Sequence, residues 1–134
     1  GHAFWVVGLA DQLALRRSHR EYIGLDDLPG SLAQVTDDAP VILLAHEPYI
    51  FPQVPQRVAL TLSGHTHGGQ VRLPEFAQPL MSPRMRWSQT YGHIAVDNKH
   101  MIVSAGLGTS LAPVRFMRPP EIVDIVLGSP RRIS

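Results

Sequence analysis

Two apolar runs of strand length, each followed by a histidine, constrain the fold of this chain most. Residues 41–45 (VILLA) stop at His46, and residues 58–62 (VALTL) stop shortly before His65. Strands that are apolar at nearly every position are typical of sheets covered on both faces, and ligand sites lie at the carboxyl ends of parallel strands. If the two runs are parallel neighbours, His46 lies beside His65. The sequence therefore predicts a buried sheet with a histidine-bearing edge.

Weaker patterns complete the predicted order of elements. In chain order they indicate a strand at 4–7, a loop or short amphipathic helix at 12–22, a helix capped by Ser31 that runs to about 37, a β-hairpin at 93–104 with Asp97 in its turn, and a last strand at 122–127. Pro74, Pro79 and Pro83 argue against regular structure over residues 72–92, which we expect to form a long loop. Residues 128–134 are expected to be a frayed or solvated tail.

Size and composition limit the class of protein. A chain of 134 residues fits one domain or half of a larger one, and 44% hydrophobic residues are enough to form a core. With 12 basic and 11 acidic residues, the charge gives no support for a nucleic-acid surface. The sequence has no cysteine, so any metal must be held by histidine nitrogen or by oxygen. No apolar run approaches the roughly 20 residues of a membrane-spanning helix.

The sharpest chemical feature is the run Gly-His-Thr-His-Gly-Gly-Gln at residues 64–70. In extended backbone, residues i and i+2 project to one side, so His65 and His67 are expected to face the same site, while the flanking glycines allow a sharp bend. Two imidazoles on a tight loop can each serve one ion of a metal pair, whose members lie about 3.5–4 Å apart in hydrolases. The alternative is a glycine-rich turn with two solvated histidines.

Three imidazoles, with His46 as the third, would also make an acceptable mononuclear zinc site with an open fourth position. Asp11, just beyond the first predicted strand, is a candidate additional ligand. Glu47 could bind metal or support a ligand, but a carboxylate before a proline such as Pro48 is more often a solvated turn residue. The spacing of the residues alone leaves the choice between one ion and two open.

Five segments give the chain a resemblance to the calcineurin-like metallophosphoesterase family, in its YkuE-like bacterial branch. They are residues 44–48 (LAHEP), 63–71 (SGHTHGGQV), 106–110 (GLGTS), 113–116 (PVRF) and 119–122 (PPEI), and the resemblance extends from about residue 4 to residue 127. The family's N-terminal half carries an Asp-x-His motif, a Gly-Asp-x-x-Asp motif and a Gly-Asn-His motif followed by Asp or Glu, none of which occurs in this sequence. The chain therefore resembles the C-terminal half of the family's domain, and residues 1–134 are expected to form a single partial domain.

The resemblance implies the C-terminal half of a four-layer α/β/β/α sandwich, an α/β fold with a mixed sheet and few helices. It implies that His46 and His65 bind the second of two divalent metal ions and His67 the first, the ions being manganese, iron or zinc. It implies hydrolysis of a phosphodiester, phosphomonoester or pyrophosphate by the complete protein, with poor activity and partial or no metal occupancy for this chain alone. Two alternatives stay open, a noncatalytic interaction module with a structural metal site and a mononuclear zinc hydrolase that uses the three histidines and Asp11.

Two arginines are candidate substrate-binding residues. Arg115, in segment 113–116, could grip a phosphate through its guanidinium group, although a structural ion pair explains it equally well. Arg86, in the predicted loop, lies among apolar side chains, which suits a lipid-linked phosphoester. We expect a small-molecule or lipid-linked phosphoester as substrate, no nucleic acid, and self-association through the sheet surface that an incomplete domain exposes. The resemblance implies a bacterial protein; relatives are often exported or membrane-anchored, and the compartment stays open.

Overall fold

A five-stranded mixed sheet organises the residues that the computed structural model describes, which are 3–19, 21–71, 90–110 and 113–128. In chain order the elements are β1 (Trp5–Gly8), β2 (Leu15–Arg16), β3 (Tyr22–Ile23), α1 (Leu28–Leu32), β4 (Val41–Leu44), a 3₁₀ helix (Pro48–Gln53), β5 (Val58–Ser63), β6 (Gly92–Val96) and β7 (Lys99–Val103). The sheet order is β1-β4-β5-β7-β6, with only the last pair antiparallel. The predicted mixed α/β sheet with few helices is confirmed. The two apolar runs pair in parallel, which is the condition under which His46 was expected beside His65.

One face of the sheet packs against α1 and the 3₁₀ helix to form the hydrophobic core. Its most deeply buried apolar side chains are Val41, Leu43, Met101 and Val103 from the strands and Ile50 and Phe51 from the 3₁₀ helix. Lys99 closes the carboxyl end of the 3₁₀ helix, because its ammonium group donates to the carbonyls of Phe51, Pro52 and Val54 at 3.3, 3.3 and 3.1 Å. These contacts hold the segment that follows His46 against the sheet.

The opposite face of the sheet is only partly covered. Val6 and Leu44 lie on this face and are 55% and 42% exposed, whereas their neighbours Ile42 and Leu60 are each 8% exposed. The expectation that both faces are covered is therefore wrong at β1 and at the end of β4. An apolar pattern indicates which side chains favour burial, but it does not supply the layer that buries them.

The β6–β7 hairpin is confirmed, and its turn explains the predicted role of Asp97. Asp97 and Asn98 both have positive φ, at 50° and 62°, as a two-residue hairpin turn of the favoured type requires. On the hairpin's exposed surface, His93 and His100 stack with ring centroids 5.2 Å apart.

Three local predictions were wrong. The helix begins at Leu28, three residues before Ser31, because Asp27 caps it by accepting a hydrogen bond from the Gly30 amide and Pro29 fits its first turn. Segment 12–22, predicted as a loop or a short amphipathic helix, has no helix among its described residues and contributes to the short β2–β3 ladder. Residues 122–127 form no strand; Ile122 and Val126 are 83% and 89% exposed.

Most of the predicted loop 72–92 and nearly all of the tail 128–134 lie outside the described residues. The partial-domain boundaries stay a prediction. No helix within the described ranges is long and apolar enough to span a bilayer.

Candidate metal centre

The parallel pairing of β4 and β5 brings His46 and His65 together at the carboxyl edge of the sheet. The pairing continues past the strand ends, since the Ala45 amide donates to the Leu62 carbonyl and the Gly64 amide donates to the His46 carbonyl, each at 3.0 Å. The two imidazole rings have centroids 5.1 Å apart and are nearly perpendicular. The predicted juxtaposition of these two side chains is therefore present in the fold.

Glu47 joins the two histidines from a buried position. It is 1% exposed, its Oε1 atom lies 3.6 Å from Nδ1 of His65, and its Oε2 atom accepts a hydrogen bond from the Gln12 amide at 3.2 Å. The expectation that Glu47 is a solvated turn residue was therefore wrong. Pro48 starts a 3₁₀ helix that packs on the core, and this packing turns the preceding carboxylate inward. The one feature of the sequence that pointed to a role for Glu47 in the site was its position next to His46.

One potential ligand atom from each of His46, Glu47 and His65 lies within 4.8 Å of the others. The side chain of His65 is 32% exposed, and burial lowers its pKa, an effect that the nearby Glu47 carboxylate opposes and that His46 reinforces. The lowered pKa favours the neutral ring, whose nitrogen lone pair can bind a cation. Neutral imidazole and carboxylate oxygen are the donors that zinc, manganese and iron accept, so this group fits a divalent cation.

The loop after β5 differs from the extended geometry expected for it. His65 and His67 have φ of 63° and 52°, and Gly68 and Gly69 have φ of 63° and 68°, so the chain coils through the left-handed region. Histidine is among the residues that adopt this conformation more often than most, but it does so at a cost. The expectation that two i, i+2 side chains project together from extended backbone was wrong, whereas the tolerance of the glycines for positive φ is confirmed.

His67 lies outside the three-residue group and faces a different partner. Its Nδ1 atom is 3.1 Å from the carbonyl oxygen of Gly108. A carbonyl oxygen only accepts hydrogen bonds, so Nδ1 is the donor, and in a neutral ring the lone pair then lies on Nε2. This arrangement leaves Nε2 as the ligand atom that His67 can offer.

The other predicted site residues occupy distinct positions. Asp11 is exposed and accepts a hydrogen bond from the Leu13 amide at 2.6 Å. It is near enough to His65 to oppose the lowering of the His65 pKa, but it is not in the three-residue group.

Arg115 directs its guanidinium group at backbone carbonyls, including those of Ala105 and Gly106 at 2.7 and 3.1 Å. Its substrate-binding role stays a prediction. Arg86 lies outside the described residues.

Several residues that support the histidine loop were not singled out from the sequence. The Thr66 hydroxyl donates to the Thr90 carbonyl at 2.6 Å, and Nε of Arg118 donates to the Gly68 carbonyl at 2.8 Å. The side-chain amide of Gln70 donates to the Val114 carbonyl at 2.7 Å, and its oxygen accepts from the Ser110 amide at 2.6 Å. The final glutamine of the Gly-Gly-Gln run thus ties the loop to Ser110 and Val114.

Comparison with known proteins gives a consistent result. The chain is 39% identical over 108 residues to the protein named uncharacterized metallophosphoesterase YkuE of Bacillus subtilis (strain 168), covering 80% of the chain and 37% of that relative. An uncharacterized metallophosphoesterase of Aquifex aeolicus (strain VF5) is 31% identical over 122 residues, covering 91% of the chain and 44% of the relative. One from Helicobacter pylori (strain ATCC 700392 / 26695) is 35% identical over 127 residues, covering 91% and 31%.

The chain spans less than half the length of each of these relatives. No family model matches the chain. No solved structure matches it significantly. The relatives nevertheless share one family name and cover most of the chain, including the histidine-bearing sheet edge described above. Over most of its length, the chain is therefore similar to YkuE-like metallophosphoesterases.

Proposed function

We propose that this chain supplies the histidine half of a dinuclear metal site in an enzyme that hydrolyses phosphate esters. The observation that carries the proposal is the group His46, Glu47 and His65, whose ligand atoms lie within 4.8 Å of one another at the carboxyl edge of the sheet. The names of the relatives support metal-dependent phosphoesterase chemistry in general. The substrate would be a phosphodiester, a phosphomonoester or a pyrophosphate.

The roles we assign follow from the positions of the side chains. His46 and His65 hold one divalent cation together, and the buried Glu47 carboxylate keeps the His65 ring in place. His67 offers Nε2 to a second cation, and Asp11 is a further candidate ligand. When bound, the two cations supply positive charge that stabilises the phosphoryl group in the transition state and lowers the pKa of the attacking water.

We further propose that this chain alone has poor activity. It spans 37% of YkuE and 31% of the H. pylori relative, so most of each relative lies outside the matched region. The partly exposed apolar face that includes Val6 and Leu44 is a surface for self-association or for another part of a longer protein. A small-molecule or lipid-linked phosphoester, with Arg86 as a candidate contact, is the proposed substrate class, and no nucleic acid is expected.

The test is phosphodiesterase activity of the full-length protein. We expect hydrolysis of an aryl phosphodiester in the presence of Mn²⁺, and loss of that activity in His46→Ala and His65→Ala. His93→Ala is the matched control, because His93 is exposed on the edge strand β6, far from β4 in the sheet order. Equal activity in all three variants would refute the proposed roles, and an inactive wild-type protein with no bound metal by elemental analysis would refute the function.

A mononuclear zinc hydrolase is a second candidate, and one observation favours it. The compact group contains two histidines and one glutamate, a ligand set that catalytic zinc sites use. It differs from the set that the sequence suggested for such a site, because Glu47 stands in place of His67 and Asp11. Metal stoichiometry separates the two candidates. About two ions per full-length wild-type protein, reduced to one in His67→Ala, support the dinuclear site, whereas one zinc ion in both proteins supports the mononuclear one.

A further inference from the structure

The orientation of the His67 ring depends on one backbone carbonyl. Nδ1 of His67 donates to the Gly108 oxygen at 3.1 Å, which directs Nε2 away from the glycine-rich segment 106–108. Without this acceptor, a neutral imidazole can exchange its proton between the two ring nitrogens, and either nitrogen can carry the lone pair. The position of the Gly108 carbonyl therefore selects the tautomer of His67.

The Gly108 carbonyl is itself held by Arg115. Both Nε and Nη2 of Arg115 donate to this oxygen, the former at 3.1 Å. Nη2 also donates to the carbonyls of Ala105 and Gly106, at 2.7 and 3.1 Å. One guanidinium group thus gathers three carbonyls of the segment that follows β7.

The same guanidinium group reaches the histidine loop. Nη1 of Arg115 lies 3.4 Å from the carbonyl oxygen of His67, a residue whose φ of 52° places it in a conformation that persists only when its surroundings hold it. Arg115 therefore contacts His67 through its backbone directly and through its ring by way of Gly108. Its donors face inward to the backbone of the chain.

We propose that Arg115 is a positioning residue for His67, which fixes the Nδ1–H tautomer of the ring and keeps Nε2 available to a cation. This inference rests on the proposed function in one respect, namely that the ligand bound by Nε2 of His67 is a metal cation. Lysine cannot replace the arginine fully, because a single ammonium group lacks the planar array of donors that spans several carbonyls. Groups that orient a metal-binding histidine typically change metal affinity about 10–100-fold when they are removed.

The experiment compares Arg115→Ala and Arg115→Lys with Arg57→Ala in the full-length protein. Arg57 is the matched control, since it also donates to two carbonyls, those of Asp37 and Ala39 at 2.7 and 2.8 Å, but it precedes β5 at the opposite end of the strand from the histidine loop. ¹⁵N NMR of the imidazole nitrogens in metal-free protein reports the tautomer of His67. Calorimetric titration with Mn²⁺ reports the affinity, and thermal unfolding confirms that each variant folds.

We expect wild-type protein and Arg57→Ala to hold His67 as the Nδ1–H tautomer. Arg115→Ala should show a mixture of tautomers and bind Mn²⁺ at least about 10-fold more weakly. Arg115→Lys should fall between them, and it provides the decisive comparison if Arg115→Ala does not fold. The proposal would be overturned if a folded Arg115 variant kept the wild-type tautomer of His67 and bound Mn²⁺ with an affinity within about twofold of that of Arg57→Ala.

Two further outcomes separate this inference from its neighbours. If Arg115 binds substrate phosphate instead, its replacement raises KM and leaves the His67 tautomer and Mn²⁺ affinity unchanged, which overturns the positioning role. If His65→Ala binds Mn²⁺ as tightly as wild type, the proposed metal site fails. The tautomer measurement in metal-free protein would still decide the role of Arg115 in that case.

Discussion

Nδ1 of His65 lies 3.6 Å from Oε1 of Glu47, and the two side chains come from the ends of neighbouring parallel strands. Glu47 is almost completely buried, and its Oε2 atom accepts a hydrogen bond from the Gln12 amide. A buried carboxylate is costly unless it is partnered, so this contact is a specific feature of the sheet edge. It links the backbone after β1 to His65 in the loop after β5.

Replacing Glu47 should affect stability and metal binding to different extents. Glu47→Ala leaves the Gln12 amide without its acceptor and is expected to lower the free energy of unfolding by about 1–3 kcal/mol. Glu47→Gln keeps an acceptor oxygen and should lose less stability, yet both variants should bind Mn²⁺ more weakly, by about 10-fold. Urea unfolding and calorimetric titration measure the two effects. If Glu47→Gln bound Mn²⁺ with wild-type affinity, the Glu47 carboxylate would have no role in the metal site.

Glycine replacements in the histidine loop should differ in a defined order. A Cβ at Gly68 would meet Cδ of Arg118 and Cδ2 of Tyr91 at 2.9 Å, and φ there is +63°. Gly69 has φ of +68° but open space, and Gly64 has open space and no positive φ. We expect Gly68→Ala to destabilise most, Gly69→Ala to cost about 1 kcal/mol from backbone strain, and Gly64→Ala to change little. Thermal unfolding of the three variants tests this order, and an equal loss in all three would contradict it.

The contact between Tyr91 and Glu121 predicts a pH dependence of stability. The Tyr91 hydroxyl donates to Glu121 at 2.6 Å and, together with the Ala105 amide, lowers the pKa of that carboxyl group. The stabilisation is present above the unfolded-state pKa of about 4.3 and is lost as the pH falls through the lower folded-state value. Tyr91→Phe should therefore flatten the acid limb of a stability profile measured between pH 6 and pH 3. Superimposable profiles for wild type and Tyr91→Phe would show that the contact contributes nothing.

The part of the site that depends on strand pairing could be predicted from the sequence. Residues 41–45 and 58–62 are apolar almost throughout, and their parallel pairing places His46 beside His65. The turn at Asp97 could also be predicted, because its two residues tolerate positive φ. In these cases, local composition and long-range packing favour the same structure.

The remainder depends on tertiary contacts that a local pattern does not encode. Glu47 is buried because the 3₁₀ helix after it packs its own Ile50 and Phe51 into the core. The left-handed loop is held at His67 and Gly68 by arginines about 50 positions later in the chain. The helix at Leu28 starts early because Asp27 is a better placed cap than Ser31. Each of these local structures depends on a contact partner distant in sequence or on competition between neighbouring residues for the same structural role.

The most direct test of the account is the position of a bound cation in crystals of the full-length protein soaked with Zn²⁺. We predict an anomalous difference peak within about 2.0–2.1 Å of a ring nitrogen of both His46 and His65, the usual zinc-to-imidazole distance. His65→Ala crystals should lack that peak. A cation bound elsewhere in the protein, or no peak at this edge of the sheet, would contradict the central claim.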